Sequence, residues 1–315
     1  MTNGGALLRI GTRGSPLALA QAMETKRRLA GIHPDLADEA AIEIEVIKTT
    51  GDRIQDRALM EIGGKGLFTK EIEEALYDGS IDIAVHSMKD MPTVLPDGLG
   101  VRAILEREDA RDAWFSREGL ELQDLPSGAI VGSASLRRQA QIKHLRPDIE
   151  VVTFRGNVGT RLDKLARGEV DATVLAMAGL KRLGKADLAT SALSTETMLP
   201  AVAQGAIGLE VRLDDKATLE RIAPLNHHES AVRVETERAL LAELDGSCRT
   251  PIAAYAEIEA DGKICLTSLV ALPDGKALHS DYRECFEPGA LGKAAGKALK
   301  NKAGPEFFRA LGGGS

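Results

Sequence analysis

Ile130-Val131-Gly132-Ser133-Ala134-Ser135-Leu136-Arg137-Arg138-Gln139 passes from one periodicity to another. Ile130 to Gly132 is a short apolar run that reads as a strand. Leu136 to Leu145 carries helical spacing, and Pro147 closes it. The same alternation continues downstream. Glu150 to Phe154 reads as a strand and Thr160 to Ala166 as a helix, then Ala172 to Leu175 as a strand and Met177 to Leu183 as a helix. Strands alternating with short helices specify an α/β architecture with mostly parallel pairing.

Upstream, Leu7 to Gly11 reads as a strand. Ser15 as N-cap and Pro16 at the first helical position then open a helix to about Ala30. Ile42, Ile44 and Val46 alternate with glutamates, a half-buried strand. Thr69 to Asp78 is helical with Gly79 as its stop, and Ile81 to Val85 is a buried strand. Gly208 to Arg212 is a strand whose sheet the pattern does not assign. The character changes after Glu229. A long helix to Leu244 precedes three alternating runs, Ile252 to Ile258, Ile264 to Val270 and Leu278 to Cys285. Asp261-Gly262 and Asp274-Gly275 join them as hairpin turns, and a helix from Ala290 to Asn301 follows. This last part reads as a separate α+β domain.

The 315 residues predict two or three domains, and 43% hydrophobic with 28% charged residues is globular. A net charge of −7 and 3% aromatics argue against a nucleic-acid partner. The first residues show no basic, apolar leader pattern and no run suits a membrane span, so the expectation is a cytoplasmic protein. Cys248, Cys265 and Cys285 have neither disulfide-framework nor zinc spacing, and no metal site is expected. No long heptad pattern appears, and a monomer is expected.

In this acidic chain the arginines gather at strand-to-helix turns. Arg13 lies in Gly11-Thr12-Arg13-Gly14-Ser15-Pro16, Arg137 and Arg138 follow Ser135, and Arg155 and Arg161 flank Gly156-Asn157-Val158-Gly159. Such turns present free N–H groups and a positive helix end, so a guanidinium there makes an anion receptor. Arginine in a first helical turn opposes the helix dipole. Two readings of the doublet stand, a solvated surface pair or a ligand contact. No phosphate-loop pattern is present, and carboxylate suits the guanidinium fork equally well. Lys89-Asp90 follows a buried strand, at the edge where α/β sheets bind ligands. It is either a loop ion pair or a site in which Asp90 moves protons or stabilises a cation beside Lys89. His86 is an alternative acid–base group. Cys248, in Gly246-Ser247-Cys248-Arg249, is either an inert thiol or an accessible nucleophile.

Further landmarks are Gly63-Gly64-Lys65-Gly66-Leu67-Phe68, Ala84-Val85-His86-Ser87-Met88-Lys89-Asp90-Met91-Pro92, Arg155-Gly156-Asn157-Val158-Gly159-Thr160-Arg161, Pro200-Ala201-Val202-Ala203-Gln204-Gly205 and Gly246-Ser247-Cys248. Taken in order, over nearly the whole chain, they resemble the porphobilinogen deaminase (hydroxymethylbilane synthase) family. The resemblance implies two periplasmic-binding-protein-like α/β domains with an interdomain cleft, plus a C-terminal α+β domain. The boundaries expected are 1–105 with 206–224, then 106–205, then 225–315. It further implies a transferase of tetrapyrrole biosynthesis. Such an enzyme condenses four porphobilinogen molecules, with loss of ammonia, onto a dipyrromethane cofactor thioether-linked to Cys248, and releases hydroxymethylbilane by hydrolysis.

By the same resemblance Asp90 is the catalytic carboxylate. Lys89, Asp90, Ser135, Arg137, Arg138, Arg155 and Arg161 face the cofactor and growing chain. Arg13, Ser15, Gln21 and Arg182 face incoming porphobilinogen, Gln204 lies at the interdomain crossing, and Lys65 and Phe68 belong to a loop over the cleft. Glu61 departs from the lysine common in the family at that place, which makes the loop less positive. The competing reading is a non-catalytic two-domain module that binds a polyanion and needs neither Cys248 nor Asp90.

Overall fold

Ser15 ends strand β1 (Leu8–Arg13) and starts helix α1 (Pro16–Ile32). Its Oγ accepts the Ala18 N–H at 3.2 Å, and Pro16 needs no partner at the first helical position. The computed structural model describes residues 6–53, 69–245 and 250–311. Contacts divide the chain into two units, Met1–Arg107 with Ala206–Ala231, and Glu108–Gly205 with Val232–Ser315.

The first unit is a five-stranded sheet in the order β2-β1-β3-β10-β4. It comprises β1, β2 (Ile42–Ile47), β3 (Ile83–Ser87), β4 (Leu99–Ile104) and β10 (Ile207–Arg212). β1 runs parallel to β2 and β3, whereas β10 lies antiparallel between β3 and β4. This assigns the Gly208–Arg212 strand. The chain completes its first sheet only after all five strands of the second sheet have passed. Ile10, Leu29, Ile83, Val85, Leu209 and Val211 share one core on one face. On the other face the helix α3 (Lys70–Tyr77) buries Ile72 and Leu76 against Ile81 and Ala84. The short α2 (Thr50–Arg53) precedes α3, and α7 (Lys216–Ile222), capped by Asp215, follows β10.

The second unit holds a five-stranded sheet in the order β7-β6-β8-β5-β9. Its strands are β5 (Asp112–Ser116), β6 (Ile130–Gly132), β7 (Glu150–Val152), β8 (Ala172–Ala176) and β9 (Ser191–Ala192). β6 is parallel to β7 and β8, and β5 is antiparallel to β8. The helices α4 (Leu136–Leu145), α5 (Val158–Ala166) and α6 (Met177–Arg182) follow β6, β7 and β8. Trp114, Val131, Ile142 and Val174 pack as one core. β4 and β5 are absent from the sequence reading. Gly100 and Arg102 interrupt the apolar pattern of β4, and β5 begins at a fully buried aspartate.

The same unit contains α8 (His228–Glu243) from Val232 onward, the antiparallel sheet β11 (Ile252–Ile258), β12 (Ile264–Ala271) and β13 (Leu278–Cys285), and α9 (Pro288–Ala310). Both Asp-Gly hairpins form. α9 runs past the expected end at Asn301 and kinks at Gly304, before Pro305. This sheet docks on α4. Ala140 and Leu199 pack with Ala253, Leu269 and Ala271, and the Gly275 carbonyl lies 3.0 Å from Nδ1 of His144.

Gly275 (φ +75°) and Gly262 (φ +85°) are both left-handed. A Cβ at Gly275 would meet the backbone nitrogen of His144 at 2.7 Å, whereas at Gly262 it meets nothing within 4 Å. Gly262→Ala is expected to cost about 1 kcal/mol and Gly275→Ala about 2–4 kcal/mol, because only the second adds overpacking to backbone strain. Urea denaturation of both variants checks this, and equal losses would contradict docking through this turn.

Candidate active site

β1 and β3 are parallel, so their C-terminal ends share one edge of the first sheet. Arg13, partly buried, ends β1 there. β3 ends in a 3-10 turn, Met88–Asp90, closed by the Met91 N–H on the Met88 carbonyl. In that turn Met88 is buried, Lys89 half-buried and Asp90 exposed. Of the residues expected to face substrate, Ser15 uses its hydroxyl as the α1 cap. Gln21 is buried, and its Nε2 donates to Ser87 Oγ at 2.8 Å. His86 is buried beside Glu210, so it is not an exposed acid–base group.

The parallel strands β6, β7 and β8 likewise end at one edge of the second sheet. Ser135, Arg137 and Arg138 follow β6, Arg155 and Arg161 follow β7, and Arg182 ends α6 after β8. Asn157 caps α5 through its Oδ1 on the Thr160 N–H, and Gly156 supplies the positive φ that this turn requires. Arg137 and Arg138 are 4% and 6% exposed, which removes the reading of a solvated surface pair.

Both guanidiniums grip Asp112, at the start of β5. Arg138 Nη2 donates to Oδ1 at 2.7 Å, and Arg137 Nη2 lies 2.8 Å from Oδ2. Arg137 also donates to the Leu199 carbonyl and Arg138 to that of Val174. Gln204 completes the network, with Nε2 2.8 Å from Asp112 Oδ1 and 2.7 Å from the Ala110 carbonyl. Burial alone would raise the Asp112 carboxyl. The charges of Arg137 and Arg138 overcome that and hold it far below the usual carboxylate range. The sequence reading missed Asp112. Its signal, an aspartate opening the apolar run Ala113-Trp114-Phe115, resembles an ordinary turn residue.

Arg161 differs. Burial, and then the like charges of Arg138 and Arg155, bring its guanidinium down to about 10. Its buried Nε, like those of Arg137 and Arg138, has no hydrogen-bond partner among the described residues. Crowded cations with an unused donor make a receptor for an anion. Arg182 donates to the Gly205 carbonyl at 3.0 Å. Cys248, Lys65, Phe68 and Glu61 lie outside the described residues. Among the described residues no group of three or more His, Cys, Asp or Glu could hold a metal, and no helix is long and apolar enough to cross a membrane.

An α/β frame with guanidinium groups at its strand ends suits a protein that handles carboxylate-bearing ligands. A family model described as porphobilinogen deaminase, dipyromethane cofactor binding domain, matches residues 8–220, and one described as porphobilinogen deaminase, C-terminal domain, matches residues 231–301. The chain is 54% identical over 313 residues to the chloroplastic porphobilinogen deaminase of Oryza sativa subsp. japonica, covering 97% of this chain and 87% of the relative. It is 54% identical over 311 residues to the chloroplastic porphobilinogen deaminase of Pisum sativum, covering 96% and 84%. Among solved structures, the VFT2 domain of Bordetella pertussis BvgS aligns with a TM-score of 0.40 and 15% identity, over 70% of this chain and 86% of that one. This chain belongs to the porphobilinogen deaminase family, a family of enzymes. The crowded Arg138, Arg155 and Arg161, with the unused Nε of Arg161, fit a cofactor that carries several carboxylates.

The depressed Asp112 carboxyl predicts a pH signature. Its contribution to stability is present above the unfolded aspartate value of about 4 and is lost as pH falls towards the lower folded value. Asp112→Asn is therefore expected to cost about 3–5 kcal/mol at neutral pH. That deficit should shrink below about pH 4. Denaturant titrations of both proteins from pH 7 to about pH 3 measure it, and a deficit independent of pH would contradict an ionised carboxylate.

Proposed function

We propose that this chain condenses four porphobilinogen molecules, with loss of ammonia, onto a dipyrromethane primer thioether-linked to Cys248, and releases hydroxymethylbilane by hydrolysis. The observation that carries this reading is the cationic cluster of Arg138, Arg155 and Arg161 at the strand ends of a chain with a net charge of −7. An overall acidic protein gains nothing for stability by crowding guanidiniums, so the cluster is built for a polyanion.

When bound, the dipyrromethane supplies the nucleophilic pyrrole carbon that starts the chain. Lys89, Ser135, Arg137, Arg138, Arg155 and Arg161 are assigned to its acetate and propionate groups and to those of the growing chain. Each charge-assisted contact contributes about 1.5–3 kcal/mol. Arg13, Ser15, Gln21 and Arg182 are assigned to the carboxylates and amine of incoming porphobilinogen. Lys65 and Phe68 are assigned to a loop over the site, and Gln204 to the crossing between domains.

Asp90 is assigned the chemistry. Loss of ammonia from porphobilinogen leaves a positively charged, electron-poor methylene-pyrrole. A carboxylate accepting from pyrrole N–H groups stabilises that charge as it develops, as an oxyanion hole does with the signs reversed. The exposed side chain at the end of β3 can also hold the proton that leaves the attacked ring carbon.

The division into residues 1–105 with 206–224, 106–205 and 225–315 is supported by the three separate sheets. The unpaired thiols of Cys265 and Cys285 support a reducing compartment such as the cytoplasm, and the chain is read as a monomer.

Intact-mass spectrometry of active protein is expected to show an adduct of two pyrrole units, absent from Cys248→Ala. Bare polypeptide with full activity would overturn the covalent primer. Asp90→Ala is expected to lower kcat by at least about 100-fold while the fold persists. Full polyanion binding with no deaminase turnover in the unaltered protein would instead favour the non-catalytic binding module.

A further inference from the structure

His86 and Glu210 form a buried pair for which the proposed chemistry has no use. Nε2 of His86 lies 2.9 Å from Oε2 of Glu210, and their side chains are 6% and 0% exposed. The second carboxylate oxygen of Glu210 is buried without a hydrogen-bond partner. A buried pair of this kind is often no more stabilising than two apolar side chains of equal volume. Its best attested use is to specify one arrangement among several that apolar packing would tolerate.

The geometry shows what is specified. In the β3–β10 ladder His86 lies opposite Gly208 and Ala84 opposite Glu210, so His86 and Glu210 are diagonal neighbours on one face of the sheet. Three successive same-face positions of β10 and its lead-in address the end of β3. The Ala206 carbonyl accepts the Met88 N–H at 3.0 Å. Gly208 leaves room for Met88, whose sulfur would lie 2.1 Å from a Cβ there. Glu210 takes His86. On its other side, β10 shifts register against β4 between Leu209 and Glu210, an irregularity of the kind that re-aims a side chain. Glu73 of α3 faces the same pair. Burial, with the charge of Glu210 adding to it, keeps its carboxyl above the usual range.

Met88 is the first residue of the turn that carries Lys89 and Asp90. We propose that His86 and Glu210 are positioning residues that lock β3 against β10 and so fix where the Asp90 carboxylate stands. This rests on the reading of Asp90 as the reacting carboxylate. The pair never touches substrate. It acts by holding the strand end from which the turn springs, where a displacement of about 1 Å can change a rate about 100-fold.

The test uses the holoenzyme with wild-type, Glu210→Gln, His86→Leu/Glu210→Leu and Asp90→Ala proteins, each checked for cofactor by intact mass. The double leucine variant removes the pair without leaving a lone buried charge, so it is expected to melt close to wild type. Its kcat is expected to fall at least about tenfold with KM within about twofold, because geometry and not binding is lost. Glu210→Gln, whose amide oxygen still accepts from the imidazole, should stay within about threefold of wild type.

A double leucine variant with wild-type kcat, or with only KM raised, overturns the proposal. If Asp90→Ala turns over normally, the underlying reading of Asp90 fails instead. If Asp90→Ala is inactive and the double variant is fast, only the positioning role fails. Nitrogen-15 NMR of histidine-labelled wild-type holoenzyme needs no substitution. A single His86 tautomer with a slowly exchanging Nε2 proton is expected, and a freely exchanging ring overturns the proposal.

Discussion

One buried carboxylate organises the second unit. Asp112 is fully buried, and a lone carboxylate at such depth would give up its charge. Two guanidiniums and an amide keep it ionised, and they arrive from separate parts of the chain, the first turn of α4 and the segment ending at Gly205. Because these contacts are directional, they set the rotation of α4 about its axis as well as its depth. α4 in turn offers Ala140 and His144 to the C-terminal sheet. The position of that sheet on the second unit therefore passes through the same carboxylate.

The arginines separate into two kinds. Arg137 and Arg138 share the single negative charge of Asp112 and spend further donors on backbone carbonyls, so they shape the strand ends as much as they charge them. Arg161 sits among the like charges of Arg138 and Arg155. The shared carboxylate of Asp112 makes the doublet tolerable at a helix start. Incomplete neutralisation of the third leaves a field for a ligand. Lys89 and Asp90 stand at the corresponding edge of the first sheet, on a turn fixed by contacts to β10.

Local features are legible in the sequence. The α4 range Leu136–Leu145 and the Ser15 cap emerge as expected, because capping and helical spacing act over a few residues. Both Asp-Gly hairpins do too, since the turn type sets the strand pairing. β4 and β5 were not legible. Gly100, Arg102 and Asp112 break the apolar signal, and the burial of Asp112 depends on partners far away in sequence. The end of α9 was also hidden, because a helix that kinks at Gly304 and continues carries the same stop signal as one that ends.

The sequence by itself determined the alternation of strands and helices, the turns that bear the arginines and Asp90, and, through its ordered landmarks, the family. Tertiary structure alone decided which sheet receives β10, that Arg137 and Arg138 are buried on Asp112, and that His86 faces Glu210 in the core. The reason is range. Caps and periodicity are short-range chemistry written in adjacent residues, whereas Arg138 meets Asp112 across 26 positions, Gln204 meets it across 92, and His86 meets Glu210 across 124. Only the folded chain brings such partners within hydrogen-bond distance.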